Sequence, residues 1–364
     1  MIFIEYHSFQ KRYWTILPAA HNDTGIPDGS KRLIMSNSAQ AQPMLIIDGL
    51  QADECDESVF VEWRKGGVGC VHMTCMEYTF DNTRAALSAL SRWRRALRNH
   101  ADLIRPARCA DDILAARAEG KTAVLLGFQN TLPLEDDLAL TEIFYDLGIR
   151  VIQLTYNHQT LVGAGCQETV DSGLTLYGKR LVKEMNRLRM LVDSSHCGLK
   201  TTMDAIEMSE APIAVTHSNP ASFASDVELT HRLKNDETLR ALAKRGGMFG
   251  MALFPAMLPG GMRCTLQRFC DMVEHLVGIV GIEHVGLGTD FVWQRPLSYI
   301  KQVRTGRSTF DWAPVVPPKW PDWMKTPADF PRIIDELSGR GWKDGDIASF
   351  MGLNWLDFYR RVIG

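Results

Sequence analysis

From residue 44 onward the chain alternates short, unbroken apolar runs with longer stretches in which apolar residues recur every three or four positions. Eight runs stand out: MLIIDG (44–49), VGCVHM (68–73), TAVLLGF (122–128), RVIQLT (150–155), MLVDSS (190–195), PIAVTH (212–217), GMFGMAL (247–253) and HVGLGTD (284–290). They are rich in branched residues and show little polar alternation, the pattern of strands buried on both faces. Helical periodicity follows most of them, in RAALSALSRWRRAL, LALTEIFYDLG, TLYGKRLVKEMNRL, DETLRALAKRGG and LQRFCDMVEHLVGIVG. Gly148, Gly246 and Gly281 fall just past such stretches, where a left-handed residue closes a helix. Eight alternations in about 250 residues predict an α/β protein, a (β/α)8 barrel of the TIM type spanning 44–364 as one domain, in preference to an open doubly wound sheet.

Residues 1–43 do not share this rhythm. HNDTGIPDGSKR and SNSAQAQP are polar and turn-rich, which predicts an irregular N-terminal extension. At the other end, a Pro- and Trp-rich loop over about 291–331 precedes the helical patterns DFPRIIDELSGRG and LNWLDFYRRVIG. A long loop after the eighth strand leaves from the C-terminal mouth of a barrel, so it is expected to cover the site.

Composition narrows the function classes. A net charge of −3 over 364 residues supplies no basic field, which argues against nucleic-acid partners. The apolar runs are far shorter than the ~20 residues of a membrane span. The eight cysteines lack the short spacing of a zinc ribbon or redox pair and read as reduced thiols packed as small hydrophobes. The opening MIFIEYHSFQKRYW is too short in apolar residues for a signal peptide, so the expected compartment is the cytoplasm and the expected partner a small-molecule substrate. Assembly into a homo-oligomer stays open.

In a barrel, chemistry gathers at the strand C-termini, which here carry Asp48, Gln129, Asn157, His196, His217 and Asp290. Two histidines ending consecutive strands, in VDSSHCG and VTHSNP, can hold zinc if a carboxylate joins them, and Asp290 in GLGTDF is the candidate. Its competing role is to cap the following loop. Glu168 in GAGCQE reads as a solvated loop carboxylate rather than a general base. Cys197 points away from its neighbour His196 and reads as a buried thiol rather than a nucleophile.

The segments GLTLYGKRLVKEMNRLRMLVDSSHCG, APIAVTHSNP, HRLKNDETLRALAKRGGMFGM, HVGLGTDF and GLNW resemble the membrane (renal) dipeptidase family, peptidase family M19, over 44–364. The resemblance implies a (β/α)8 barrel with two zinc ions that hydrolyses dipeptides, often with a D-residue at the C-terminal side. It places His196 and His217 at the histidines of one zinc and Asp290 at the strand-eight aspartate of the other. Arg232 takes the place of the arginine that holds substrate. Other positions depart. Where the family has His-x-Asp after strand one, DGLQA puts Leu50 and Ala52. The bridging glutamate is Gln129, and the substrate-facing histidine after strand four is Tyr156. A stray His21-x-Asp23 spells the missing pair but lies outside the barrel rhythm, and using it would leave MLIIDG without a place.

Two dications need carboxylates, and of the family's three only Asp290 remains, so a binuclear centre is not expected. The expected function is a dipeptidase-like hydrolase of a small dipeptide or amide with a free carboxylate. Its metal is at most one zinc on His196 and His217, or none. Asp290 and Gln129 are the catalytic candidates, and Arg232, Tyr156 and Asn157 the substrate-binding ones. Two alternatives stand beside it: a catalytically silent homologue that binds a small ligand, and a barrel enzyme of non-peptide chemistry such as lactone opening.

Overall fold

The computed structural model describes residues 44–76, 81–224, 226–292, 294, 295, 299 and 320–364. The extension 1–43, with His21-x-Asp23, and most of the 291–331 loop lie outside these residues.

All eight apolar runs form strands: β1 (Ile46–Gln51), β2 (Val68–Thr74), β4 (Thr122–Phe128), β5 (Val151–Gln153), β6 (Leu191–Asp193), β7 (Ala214–Ser218), β8 (Met248–Met251) and β9 (Val285–Leu287). Pairing is parallel throughout and runs β1-β2-β4-β5-β6-β7-β8-β9, with β9 closing on β1. The eight-stranded TIM barrel expected from the sequence is therefore present. An additional strand, β3 (Ile104–Ala107), had no counterpart in the pattern. It pairs with Thr122–Leu125 of β4, below the Gly127–Phe128 stretch that pairs with β5. Its sequence IRPA is four residues long and contains a proline, which offers no N–H to a ladder.

The helices follow the amphipathic stretches and start on polar caps. Asn82 accepts from Ala85 N at 3.1 Å to begin α2 (Thr83–Asn99), the second helix after α1 (Glu57–Lys65). Then come α3 (Ala110–Ala118), α4 (Ala139–Leu147), α5 (Leu176–Arg187), α6 (Leu199–Met208), α7 (Asp236–Lys244) and α8 (Leu266–Val280). Gly148 closes α4 at φ +111°, a conformation most side chains avoid. The C-terminal patterns become α9 (Pro331–Gly339), the short α10 (Asp344–Ala348) and α11 (Asn354–Val362).

Alternate strand residues feed two apolar layers. Val124, Leu126, Ile152, Val192, Val215 and Phe249 face the helices, whereas Ala123, Leu125, Val151, Leu191, Ala214 and Met248 fill the barrel interior. That interior cluster is built from the N-terminal ends of the strands, and Trp355 and Tyr359 of α11 belong to it. The Trp355 indole donates to Leu287 O at 2.7 Å. A Cβ at Gly49 would lie 2.4 Å from its ring, so only glycine leaves room there. The floor is plugged, and polar chemistry is left to the opposite end.

Candidate active site

Two seams of the barrel have short ladders. β6 and β7 register only through Asp193 and Ala214, and β1 and β9 only through Asp48 and Leu287, the latter seam continuing past β9 in a Gln51–Phe291 bridge. At each, a buried aspartate supplies the missing bonds. Asp193 accepts from Thr216 N at 3.0 Å, Thr216 Oγ1 at 2.7 Å, Ser195 N at 3.0 Å and Ser195 Oγ at 2.5 Å. Asp48 accepts from Thr289 N at 2.8 Å, Gln51 Nε2 at 2.7 Å and the Thr289 hydroxyl. Burial outweighs these bonds for Asp48 and raises its pKa to about 6.

The β6–β7 seam orients the histidines. Thr216 gives its one hydroxyl hydrogen to Asp193, so its oxygen accepts from His217 Nδ1 at 2.9 Å. Asn157, buried and held at φ +63°, accepts from His196 Nδ1 at 2.7 Å, and Cys166 Sγ donates to the same oxygen at 3.5 Å. With both Nδ1 atoms protonated, the Nε2 lone pairs of neutral His196 and His217 face each other at 3.1 Å. Lone pairs so placed repel unless a proton or cation lies between them. Burial first, then the Arg232 charge, pushes both imidazoles well below the usual histidine range, so a proton is disfavoured at neutral pH. Gln129 Nε2 approaches His217 Nε2 at 3.4 Å and donates into the same region.

Around the pair lie the other expected residues. Gln129, Tyr156, Asn157, His196, Arg232 and Asp290 line one pocket at the mouth. The Tyr156 ring stacks on His196 at 3.8 Å. Arg232, expected as a substrate ligand, is buried and donates to Ser195 O and to His217 O, the latter at 3.3 Å. Two of its five N–H groups are engaged there. The segment carrying it is anchored by Ser218 Oγ on Arg232 O at 2.7 Å and by the buried Lys234, which donates to Cys197 O at 2.8 Å. Asp290 sits at φ +59°, and its N–H donates to Leu50 O at 3.0 Å. Its carboxylate has no hydrogen-bond partner among the described residues, and burial raises its pKa to about 7.

Several residues fall elsewhere. Glu168 lines a separate cavity and accepts from Gln159 N at 2.5 Å. Cys197 is a buried thiol, as expected. Leu50 and Ala52 are both buried. The sequence reading passed over Asp193 and Thr216, although an aspartate inside an apolar strand is itself a signal of a satisfied polar partner.

The residues present do not suit a two-ion centre: Leu50 and Ala52, where the family resemblance implies a ligand pair, are apolar and buried, and Gln129 is neutral. Among the described residues no three His, Cys, Asp or Glu side chains come together, so Asp290 does not join the histidine pair. A single ion fits, because two nitrogens on one tetrahedral zinc stand ~3.3 Å apart and the pair is already close to that spacing.

The chain is a parallel eight-stranded (β/α)8 barrel, with two histidines paired at the C-terminal ends of neighbouring strands. The model of the membrane dipeptidase family, peptidase family M19, matches residues 26–304, and the chain belongs to that family. It is 29% identical over 324 residues to an uncharacterized dipeptidase of Schizosaccharomyces pombe, covering 83% of this chain and 71% of that one. It spans 56% of mouse dipeptidase 3, less than two thirds of that relative's length. Among solved structures, an amidohydrolase from Pseudomonas aeruginosa superposes with TM-score 0.82 at 31% identity, over 88% of this chain and 97% of that one. A metallo peptidase from Rhodobacter sphaeroides, liganded with a phosphinate mimic of L-Ala-D-Ala, shares the fold at TM-score 0.73 and 18% identity, over 88% and 99% of the two chains. No described helix is long and apolar enough to cross a membrane.

Proposed function

We propose that the protein is a dipeptidase-like hydrolase of small dipeptides or amides bearing a free carboxylate, using at most one zinc ion on His196 and His217. The observation that carries this reading is the pair of opposed Nε2 atoms at 3.1 Å, with both tautomers fixed from behind. Zinc held there supplies Lewis-acid polarisation of a carbonyl and a more acidic water. Arg232 presents a guanidinium to the same pocket, suited to a bidentate grip on a carboxylate. Asp290 lines the same pocket, and its pKa, raised to about 7 by burial, suits it to proton exchange there. Tyr156 and Asn157 shape the wall on which substrate rests. All eight cysteines are free thiols, which suits the cytoplasm.

The apolar Leu50 and Ala52 favour a second reading, a homologue that binds a dipeptide-like ligand without turning it over. One experiment separates the two. Zinc is titrated calorimetrically into wild type and His217→Ala, and hydrolysis is followed for a dipeptide with a free or an amidated carboxylate. One ion in wild type, none in His217→Ala, and turnover of the free acid alone support the hydrolase. One ion or none with no turnover supports the silent homologue, and two ions overturn the single-site assignment.

A further inference from the structure

Far from the histidines, α2 carries Arg84, Arg92, Arg94, Arg95 and Arg98 and no acidic residue, in a chain whose net charge is negative. Arg94 and Arg98 are one helical turn apart on the same face, a like-charge spacing that weakens a helix. They are joined by Arg108, whose guanidinium lies 3.7 Å from where a Cβ at Gly148 would stand. These three arginines rim a groove of about 330 Å³. Its wall includes Leu97 of α2, Leu147 of α4, and Val124 and Leu126 from the helix-facing side of β4. Pro106 and Ala107 of β3 continue the wall, and the buried Ala110, Ile113 and Ala116 of the following α3 join the floor cluster.

None of the three guanidiniums forms an ion pair or side-chain hydrogen bond with a carboxylate among the described residues. The acids nearby are otherwise engaged: Asp112 accepts from the Arg108 backbone N–H at 2.8 Å, and Glu119 pairs with Arg105 and Lys121. Arg150, packed behind Arg108, is buried and donates to the backbone oxygens of Arg108, Tyr145 and Ile149. Three guanidiniums therefore stand at the rim of an apolar slot with no carboxylate paired to them among the described residues. Guanidiniums grip carboxylates and phosphates through paired N–H groups, and the slot has the size of small-ligand pockets.

We propose that this groove binds a small amphiphilic organic anion, its acidic head on Arg94, Arg98 and Arg108 and its aliphatic or aromatic body against Leu97, Val124, Leu126 and Leu147. The site is independent of the metal and of the mouth. The test is calorimetric titration of octanoate and octyl phosphate, with octanol and inorganic phosphate as the two half-ligands. Wild type is compared with the exposed-surface double variant Arg94→Glu/Arg98→Glu, and Arg232→Lys serves as the control for binding at the mouth. Saturable binding of one amphiphile per chain supports the proposal if it weakens at least tenfold in the double variant, persists in Arg232→Lys and exceeds both half-ligands. Equal affinity in the double variant, equal binding of octanol, equal binding of inorganic phosphate, or no saturable binding each overturns it.

Discussion

The seam between β6 and β7 and the seam between β1 and β9 are built alike, and they end differently. Each has a one-pair ladder between its strands, and each is closed by a buried aspartate bonded to the hydroxyl and backbone N–H of one threonine, Thr216 within β7 and Thr289 just past β9. From Asp193 the chain of bonds continues through Thr216 to the imidazole of His217, whose Nε2 faces His196 and Gln129. From Asp48 it continues through Gln51 to the indole of Trp63, which donates to Gln51 Oε1 at 2.8 Å and stops in the helix layer. Above the first seam the polar groups are intact, and above the second stand Leu50 and Ala52. The difference separates two duties that a strand-end aspartate can combine: holding the barrel shut, and aiming a ligand. The β1–β9 seam has kept the first without the second.

Rebuilding the second half gives the largest expected effect. The triple variant Leu50→His/Ala52→Asp/Gln129→Glu introduces the donors that the family resemblance implies at these positions, and zinc content by elemental analysis should rise by one ion per chain. Micromolar binding of that ion corresponds to about −8 kcal/mol. An unchanged stoichiometry in a folded triple variant would show that the apolar half is closed to metal for reasons beyond its ligands.

Removing a seam comes next. Asp193→Ala strands two N–H groups and one of two hydroxyls in the interior, the Ser195 and Thr216 hydroxyls being 3.2 Å apart, at ~1–3 kcal/mol for each unpaired group. The loss of unfolding free energy in urea should therefore exceed about 3 kcal/mol. A loss under about 1 kcal/mol would mean the ladder alone holds β6 to β7.

The relay is probed more gently by a matched pair of substitutions. Thr216→Val should weaken zinc ten- to a hundredfold, as loss of a hydrogen bond behind a metal ligand does. Thr289→Val on the other seam should lower stability by a similar ~1–2 kcal/mol yet leave zinc affinity unchanged. If both weaken zinc equally, the two seams are not functionally distinct.

An effect of comparable size is a pH dependence of the zinc-free protein. Folded His196 and His217 titrate below the 6.5 of an unfolded histidine, so below that pH the unfolded chain binds more protons and stability falls with acidity. Asp48 and Asp290, with values raised to about 6 and about 7, oppose this trend, so the measurement is a difference. Relative to His196→Asn/His217→Asn, wild type should lose about 1–3 kcal/mol between pH 7.5 and pH 5.5 by thermal unfolding. A constant difference would mean that the imidazoles are not held neutral by the fold.

The barrel strands were legible because doubly buried strands read as unbroken apolar runs, which position no other element of this chain imitates. Strand β3 was not, since IRPA has neither the length nor the donors of a run. His196 and His217 were legible as strand-end residues in matched motifs. What spacing could not give is contact across the ring. Asn157 reads as a substrate ligand in LTYN, yet its oxygen is on His196 Nδ1, 39 positions away in sequence. Arg232 reads as a free grip, yet it also ties together the backbone ends of two strands. Such bonds depend on which loops close over which strand, and local periodicity carries no record of that.

The plug of Trp355 in the barrel floor has a consequence in time. Gly49 and Trp355 touch across about 300 residues of sequence, so the inner side of the first strand cannot be sealed until the last helix has been made and docked. Contacts of such long range form slowly, and the apolar lining of the ring stays open to water and to other chains in the meantime. Refolding should therefore end on the arrival of α11, with Trp355 fluorescence recording the last step, and a chain arrested before that helix should be the form that aggregates.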